Sequence, residues 1–436
     1  MSNKYRAFFQ GKQEFLVDFN AEKITTDAGA LLIEKIEKKH RIIKYFSDLI
    51  PDKRDPSYIT YSMEHLLKQR VMLNAQGYED GNDVEQLKND PLFEEILGQN
   101  LSSQPTVSRF ENTVNKHVIF DLLYARVDRY VENFSPKRRH LVIDIDGTDA
   151  ETYGHQQLSL FNGFYGHTMY NQLLFHDGQT GEVILPALRP GNAHSNWWYV
   201  AILERIIKKL RAKLPNLVIY VRADSGFSTP KFYNMAKNYN LLYAIGIASN
   251  QVLKRQTKLL SEIISSICSK DKKKLQYFSK TFDYQANTWQ QPEQCFAKVE
   301  YTGKGMNIRY IISNIRNLTN QDIYKEFYVQ RGETSENRIK DLKTMCYSDR
   351  MSNSDFWSNF FRLIMSSMTY EFFRLIKLKI NSLELDKFNK QKKWNINSIR
   401  LLLLKAGAMI KKTKRRVKIS ISNAFAYKDL FVCLLQ

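Results

Sequence analysis

The sequence has little with which to staple itself, chelate through thiols or cross a bilayer. Its four cysteines, Cys268, Cys295, Cys346 and Cys433, lie far apart and form no C-x-x-C pair. That spacing argues against a zinc ribbon or a disulfide framework and fits a reducing compartment. All eight histidines precede residue 195, and none stands in an HExxH spacing. Each reads as a surface or satisfied core histidine rather than a metal ligand. The longest purely aliphatic run, LLLL at 401–404, falls far short of the roughly 20 residues a spanning helix needs. The start, MSNKYRAFFQGKQEF, has no apolar h-region, so no signal peptide is expected. There is no repeat at a fixed period. Acids are missing from one long stretch: residues 387–428 hold thirteen Lys or Arg and no Asp or Glu. A solvated face rarely excludes acids over such a length, so phosphate contact is expected, most of all at Lys411, Lys412, Lys414, Arg415 and Arg416.

What is present points the same way. The 436 residues suffice for two or three domains, and 43% hydrophobic with 13% aromatic residues can bury a sizeable core. Lys plus Arg number 65 against 45 acids, a formal charge of +20. Such an excess suits a polyanion, nucleic acid or an anionic membrane. With no spanning run, nucleic acid is the better fit.

Along the chain, residues 1–135 read as helical. Thr26-Asp27 can cap a helix through Leu31, Leu32, Ile33, Ile36 and Ile42. Residues 59–73 show helical spacing with Lys68 and Arg70 outward. In LSSQPTVSRFENTV, Ser103 is a helix N-cap and Pro105 lies in the first turn, which presents Ser108 and Arg109 on a short polar helix of the kind that enters a DNA groove. From 136 to 249 the order is strand, hairpin, helix, strand, helix, strand. A helix is expected over 196–214. Residues 250–317 read as a β-rich insertion, 318–380 as a helical return ending in a buried helix from 355 to 380, and 381–436 as a basic helical C-terminal region. The whole is an α/β protein with a mixed sheet flanked by helices.

The chemistry starts at LVIDIDGTDAETYG, which drives an apolar strand into carboxylates. Alternation puts Asp144 and Asp146 on one face. Two buried acids on one strand are costly unless paired or bound to metal. A second apolar strand, LVIYVRAD, ends in Asp224, and in open α/β sheets function gathers beyond the carboxyl ends of strands. A third acid would complete a Mg²⁺ site of hard oxygen ligands. Glu336, Lys340 and Lys343 share a helix face at i, i+4 and i+7.

IDGTD, RADSGF and YVQRGETSENRIKDLK, with FNGFYGHTMYNQLLF, LRPGNAHSN and SQPTVSRFEN in matching order, resemble the DDE transposases of bacterial insertion sequences. The resemblance implies an RNase H-like core interrupted by the β-rich insertion, preceded by an N-terminal helical DNA-binding domain. It implies Asp146, Asp224 and Glu336 as the acids holding two Mg²⁺ ions, with Mn²⁺ able to substitute; Asp144, two residues before Asp146, is the alternative at that strand. Tyr328, Arg331, Glu336 and Lys343 resemble the Tyr-Arg-Glu-Lys signature of the hairpin-forming branch, whose residues here, with Arg338 and Lys340, would bind transposon-end phosphates. The usual three-residue gap between Arg and Glu is four here. Glu333 is the alternative acid, about 300° back around the helix from Glu336. Trp289, alone of its kind in the insertion, would hold a flipped base. The resemblance further implies double-stranded DNA partners, the terminal inverted repeats and a target, engaged by a homodimer in the bacterial cytoplasm at the nucleoid, with no membrane. The alternatives are a purely hydrolytic nuclease of the same superfamily and a non-catalytic DNA-binding derivative.

Overall fold

The computed structural model describes residues 5–10, 13–270, 277–302, 305–316, 319, 322–383 and 394–436. The chain divides into two compact units. One is formed by residues 1–113, 345–347 and 368–436, the other by 114–344 and 348–367. Sequence pattern predicts five successive segments. Instead the C-terminal residues join the N-terminal ones, and the helix Lys116–Glu132 belongs with the central sheet.

The first unit opens with an exposed antiparallel hairpin of β1 (Tyr5–Gln10) and β2 (Gln13–Val17), followed by the short β3 (Ile24–Thr25). Helices Ala30–His40, Ile42–Ser47, Met63–Gln76, Pro91–Leu97 and Gln104–Glu111 follow. Ser62 caps Met63–Gln76, its Oγ accepting from His65 N at 3.1 Å. Almost every residue of this helix is buried, so its polar side chains find partners inside. Arg70, expected outward, donates from Nε to Glu111 at 2.8 Å, and Lys68 Nζ lies 2.7 Å from Glu34. Gln69 bonds both backbone groups of Ser102. A helix wrapped this fully by neighbours leaves little outward face for its charges, and Arg70 and Lys68 are neutralised locally.

The second unit is built on one mixed sheet. Its strands are β4 (His140–Glu151), β5 (Leu160–Asn162), β6 (His167–Asp177), β7 (Val183–Arg189), β8 (Val218–Ala223), β9 (Leu242–Ile247), β10 (Tyr277–Tyr284), β11 (Glu293–Thr302) and β12 (Gly305–Ser313). The order is β10-β11-β12-β9-β8-β4-β6-β5, with β7 paired to β6. Among the described residues, only the β4–β8 and β8–β9 pairings are parallel. These central strands read as continuous apolar runs because both faces are covered. Helix Tyr199–Lys213 turns Leu203, Ile206, Ile207 and Leu210 inward, each burial contributing roughly 1.5–3 kcal/mol.

The segment expected as a separate β-rich insertion differs in two ways. It begins with a 20-residue helix, Gln251–Lys270, and its strands extend the main sheet through β12 on β9. Helix Tyr199–Lys213 starts three residues later than expected, because Trp198 takes a left-handed conformation (φ 65°) that no helix interior accepts. The long apolar helix expected over 355–380 is Phe356–Ser382.

The first unit closes with β13 (Ala408–Lys412), β14 (Val417–Ile421) and helix Lys428–Leu435. The densest basic part of the C-terminal region is thus a hairpin on β3, whereas Ile396–Ile399, Arg400–Leu404 and Lys428–Leu435 are helical as expected. Ala408 and Ile410 point in while Met409 and Lys411 point out, the period of a strand. Among the described residues no helix is long and apolar enough to cross a membrane.

Candidate active site

Register brings the first two acids together. β4 and β8 run parallel, with Ile145 opposite Ala223. One step further along both strands places Asp146 beside Asp224. Asp224 leaves the sheet as the cap of a tight turn, its Oδ1 accepting from Gly226 N at 2.8 Å. Gly226 is needed because a Cβ there would fall 2.8 Å from Ser195 Cβ. The LRPGNAHSN loop therefore packs directly on the Asp224 turn. Buried Arg189 shapes that loop, donating to the carbonyls of Ser195 at 3.0 Å and Trp197 at 2.8 Å and to Asn171 Oδ1 at 2.6 Å.

The third acid comes from helix Val329–Lys340. Helical side chains lean toward the N-terminus, and the exposed Glu336 carboxylate reaches back over Gly332, whose Cβ position would lie 3.9 Å from Oε1. The three acids share one field. Burial, then the negative charges of Asp224 and Glu336, push the Asp146 carboxyl up to about 6, against the pull of Arg331 and the Gly147 amide. The Glu333 side chain lies outside the described residues.

Asp146 is held by donors on both oxygens: Arg331 Nη1 at 2.8 Å from Oδ2, and Gly147 N at 2.9 Å from Oδ1. Among the described residues no group of three or more His, Cys, Asp or Glu is drawn up to hold a metal ion. The donor chemistry nevertheless fits a hard divalent cation: all three groups are carboxylates, and their mutual repulsion is what such a cation relieves. Arg331 Nε is buried without a hydrogen-bond partner and offers a donor to an anion.

Asp144 has a different fate. It is fully buried and receives Arg222 Nε at 2.6 Å and Nη2 at 2.8 Å, with Arg338 Nη1 4.0 Å away. This two-pronged pair comes from the residue opposite it on β8. Asp144 is a paired interior acid, which removes it as the alternative to Asp146.

Around the acids lie the basic residues of the motif. Lys343 Nζ bonds Asp149 Oδ1 at 2.7 Å, and His167 Nε2 lies 3.2 Å from Asp149 Oδ2. Burial raises the Asp149 carboxyl, but the bond and charge of Lys343 outweigh it and the net shift is down. Arg331 lies over the Tyr328 ring at 5.8 Å. Arg338 spends its donors on the carbonyls of Asp177 and Gly178, at 3.1 and 3.0 Å. Lys340 is exposed. The helix Val329–Lys340 is flanked by π-helical turns, Ile323–Tyr328 and Asp341–Met345. Such turns take up an extra residue and re-aim a helix face, and here Arg331 and Lys343 reach β4 although the Arg-to-Glu gap is one residue longer than usual.

Other expected contacts fall elsewhere. Trp289 is 8% exposed and packed against Tyr233 at 4.7 Å and Tyr284 at 5.3 Å. Its faces are occupied, so it is a core residue rather than a base wedge. Ser108 and Arg109 lie on Gln104–Glu111, with Ser103 as N-cap and Arg109 exposed. Lys411 and Lys412 meet Glu22 at 3.0 Å and Glu95 at 2.7 Å, acids supplied from far along the chain. Lys414, Arg415 and Arg416 are exposed in the hairpin turn. The sequence did not single out Arg189, Arg222 and Asp149. Their signal was present only as polar residues inside otherwise apolar strands or next to the acid motif.

Residues 9–436 match the family model described as Transposase DDE domain, group 1. The chain therefore belongs to the DDE transposase domain family. In structure it is similar to the piggyBac transposase in its synaptic complex with hairpin DNA, at TM-score 0.43 and 15% identity over 88% of this chain and 82% of that one. It is also similar to the Mos1 transposase paired-end complex with the left transposon end, at TM-score 0.17 and 12% identity over 38% of this chain and 57% of that one. No curated protein matches it by sequence.

Proposed function

We propose that the chain is an insertion-sequence transposase that cuts DNA at the ends of its element and joins them to a target, with Asp146, Asp224 and Glu336 as its catalytic acids. The observation that carries this reading is the parallel register of β4 and β8, which sets Asp146 beside Asp224, with Glu336 borne by the helix whose Arg331 bonds Asp146. The acids would hold a pair of Mg²⁺ or Mn²⁺ ions, which when bound supply an activated water and charge stabilisation at the scissile phosphate. Arg331, bonded to Asp146, and Lys343, bonded to Asp149 three residues on, suit the neighbouring phosphates. The cut frees a 3′-OH. In the hairpin route that hydroxyl attacks the opposite strand, forming one phosphodiester and releasing the flanking 3′-OH; the opened end then joins target DNA by the same exchange. Two ends cut together call for a homodimer on DNA. The exposed Lys414, Arg415 and Arg416, with Ser108 and Arg109, extend the phosphate and groove interactions. The reaction takes place in the bacterial cytoplasm, at the nucleoid, in this reading.

The test uses DNA carrying the inverted repeats that flank this reading frame. Asp146→Ala, Asp224→Ala and Glu336→Ala should each abolish Mg²⁺-dependent cleavage while keeping end binding, and Glu333→Ala should cleave. Retained cleavage in any one of the three removes that residue from the set. Replacing Lys414, Arg415 and Arg416 by Ala should lower the salt slope of binding by about 0.9 for each phosphate that is no longer neutralised.

A further inference from the structure

The motif FNGFYGHT lies beside the acids, yet strand cleavage and joining give it no task. It forms the turn between β5 and β6. Gly166 N donates to Asn162 O at 2.8 Å, Phe164 N to Asn162 Oδ1 at 3.0 Å, and Asn162 Nδ2 to Gly191 O at 2.7 Å. Gly191 fits there only as glycine, since a Cβ would fall 2.0 Å from Met169 O. The turn is thus braced on the same loop that packs on Asp224.

What this rigid turn presents is apolar. Phe164 is 90% exposed and Phe161 63%. Phe164 meets Tyr165 edge-to-face at 5.0 Å, Tyr165 lies 6.0 Å from the His167 ring, and His167 reaches Asp149. Burial first, then the charges of Asp149, Asp146 and Asp224, push the Tyr165 hydroxyl up to about 12. The turn therefore sits within the field of the acids. Next to a carboxylate cluster a polyanion gains from an uncharged contact, and aromatic stacking on a base needs no charge.

We propose that Phe164 stacks on, and helps displace, a DNA base next to the phosphodiester that the acids address. The proposal rests on the DNA-cleavage reading and assigns the base contact to this turn. Its role is positioning, through the DNA.

The test binds full-length protein to a duplex with 2-aminopurine in its terminal base pair, in Ca²⁺ buffer so that no cleavage is needed for the signal. Wild type should change the 2-aminopurine fluorescence and prefer ends with an unpaired terminal base. Phe164→Ala should lose that response and weaken binding to the unpaired end by about 5- to 100-fold, with affinity for the paired duplex interior and the thermal midpoint unchanged. Phe164→Trp should restore both. An unchanged response in Phe164→Ala, or none in wild type, overturns the proposal. A parallel Mg²⁺ cleavage assay on wild type separates failure of the stacking role from failure of the cleavage reading.

Discussion

Asp144 and Asp146 stand two residues apart on one face of one strand and lead opposite lives. Asp144 lies within the β4–β8 pairing, faces Arg222 across it and is neutralised by two hydrogen bonds. Asp146 lies one residue beyond that pairing, beside Asp224, and its nearest cation is borne by a distant helix. Residue type did not decide the difference. The neighbouring strand did: where it continues it supplies a partner, and where it ends it supplies another acid. The inner end of β4 spends its charge on stability, and the outer end stores repulsion that ligand binding can use.

The largest effect should come from breaking the inner pair alone. Arg222→Met leaves Asp144 buried without its partner and should cost about 3–5 kcal/mol, read by denaturant unfolding. Replacing both, as Asp144→Leu with Arg222→Met, should recover most of that loss. A single variant as stable as wild type would erase the contrast.

The outer end should behave in the opposite way. The Asp146 carboxyl is raised in the folded chain, so its ionisation costs stability that is absent below the ordinary carboxylate range and fully felt above pH about 6. Asp146→Asn should be more stable than wild type by about 3 kcal/mol at pH 7, with the difference vanishing toward pH 4. A destabilised Asp146→Asn would mean that the Arg331 bond, not the repulsion, dominates there.

His176 sharpens the comparison from behind Asp144, its register partner. Both ring nitrogens are buried without hydrogen bonds, and burial, with Arg338 and Arg126, lowers its pKa to about 3. The unfolded chain takes up a proton near pH 6.5 that the folded chain refuses. Stability should fall by about 1.4 kcal/mol per pH unit as pH drops from 6.5 toward 3. His176→Phe should flatten that slope in a pH series of unfolding midpoints. The smallest effect should be Lys343→Ala: losing the partly exposed pair with Asp149 should cost about 1 kcal/mol or less.

Much of this architecture was legible in the sequence. The two apolar strands ending near acids declared themselves because a chain rarely runs hydrophobic residues into carboxylates without a use for both. The helix expected between the strands LVIYVRAD and LLYAIGI is present as Pro230–Asn238. The failures have physical causes. Arg70 looked outward because periodicity assumes a solvated face, and Met63–Gln76 has almost none. The sheet extension through β12 depends on long-range pairing that alternation cannot reveal. The KKTKRR part of the basic tail looked helical because its strands are five residues long and rich in Lys. Within the site, Asp146 and Asp224 were singled out by position on their strands, and the β4–β8 register sets them side by side. Choosing between Asp144 and Asp146 required the register with Arg222, which no local pattern encodes.

The most direct measurement titrates Mn²⁺ by calorimetry into the DNA-free protein and into Asp146→Asn, Asp224→Asn, Glu336→Gln and Asp144→Asn. Wild type should bind the ion, and each of the first three variants should lose that binding, while Asp144→Asn, where folded, keeps it. Wild-type binding in Asp146→Asn, Asp224→Asn or Glu336→Gln would contradict the joining of these three acids into one cation site.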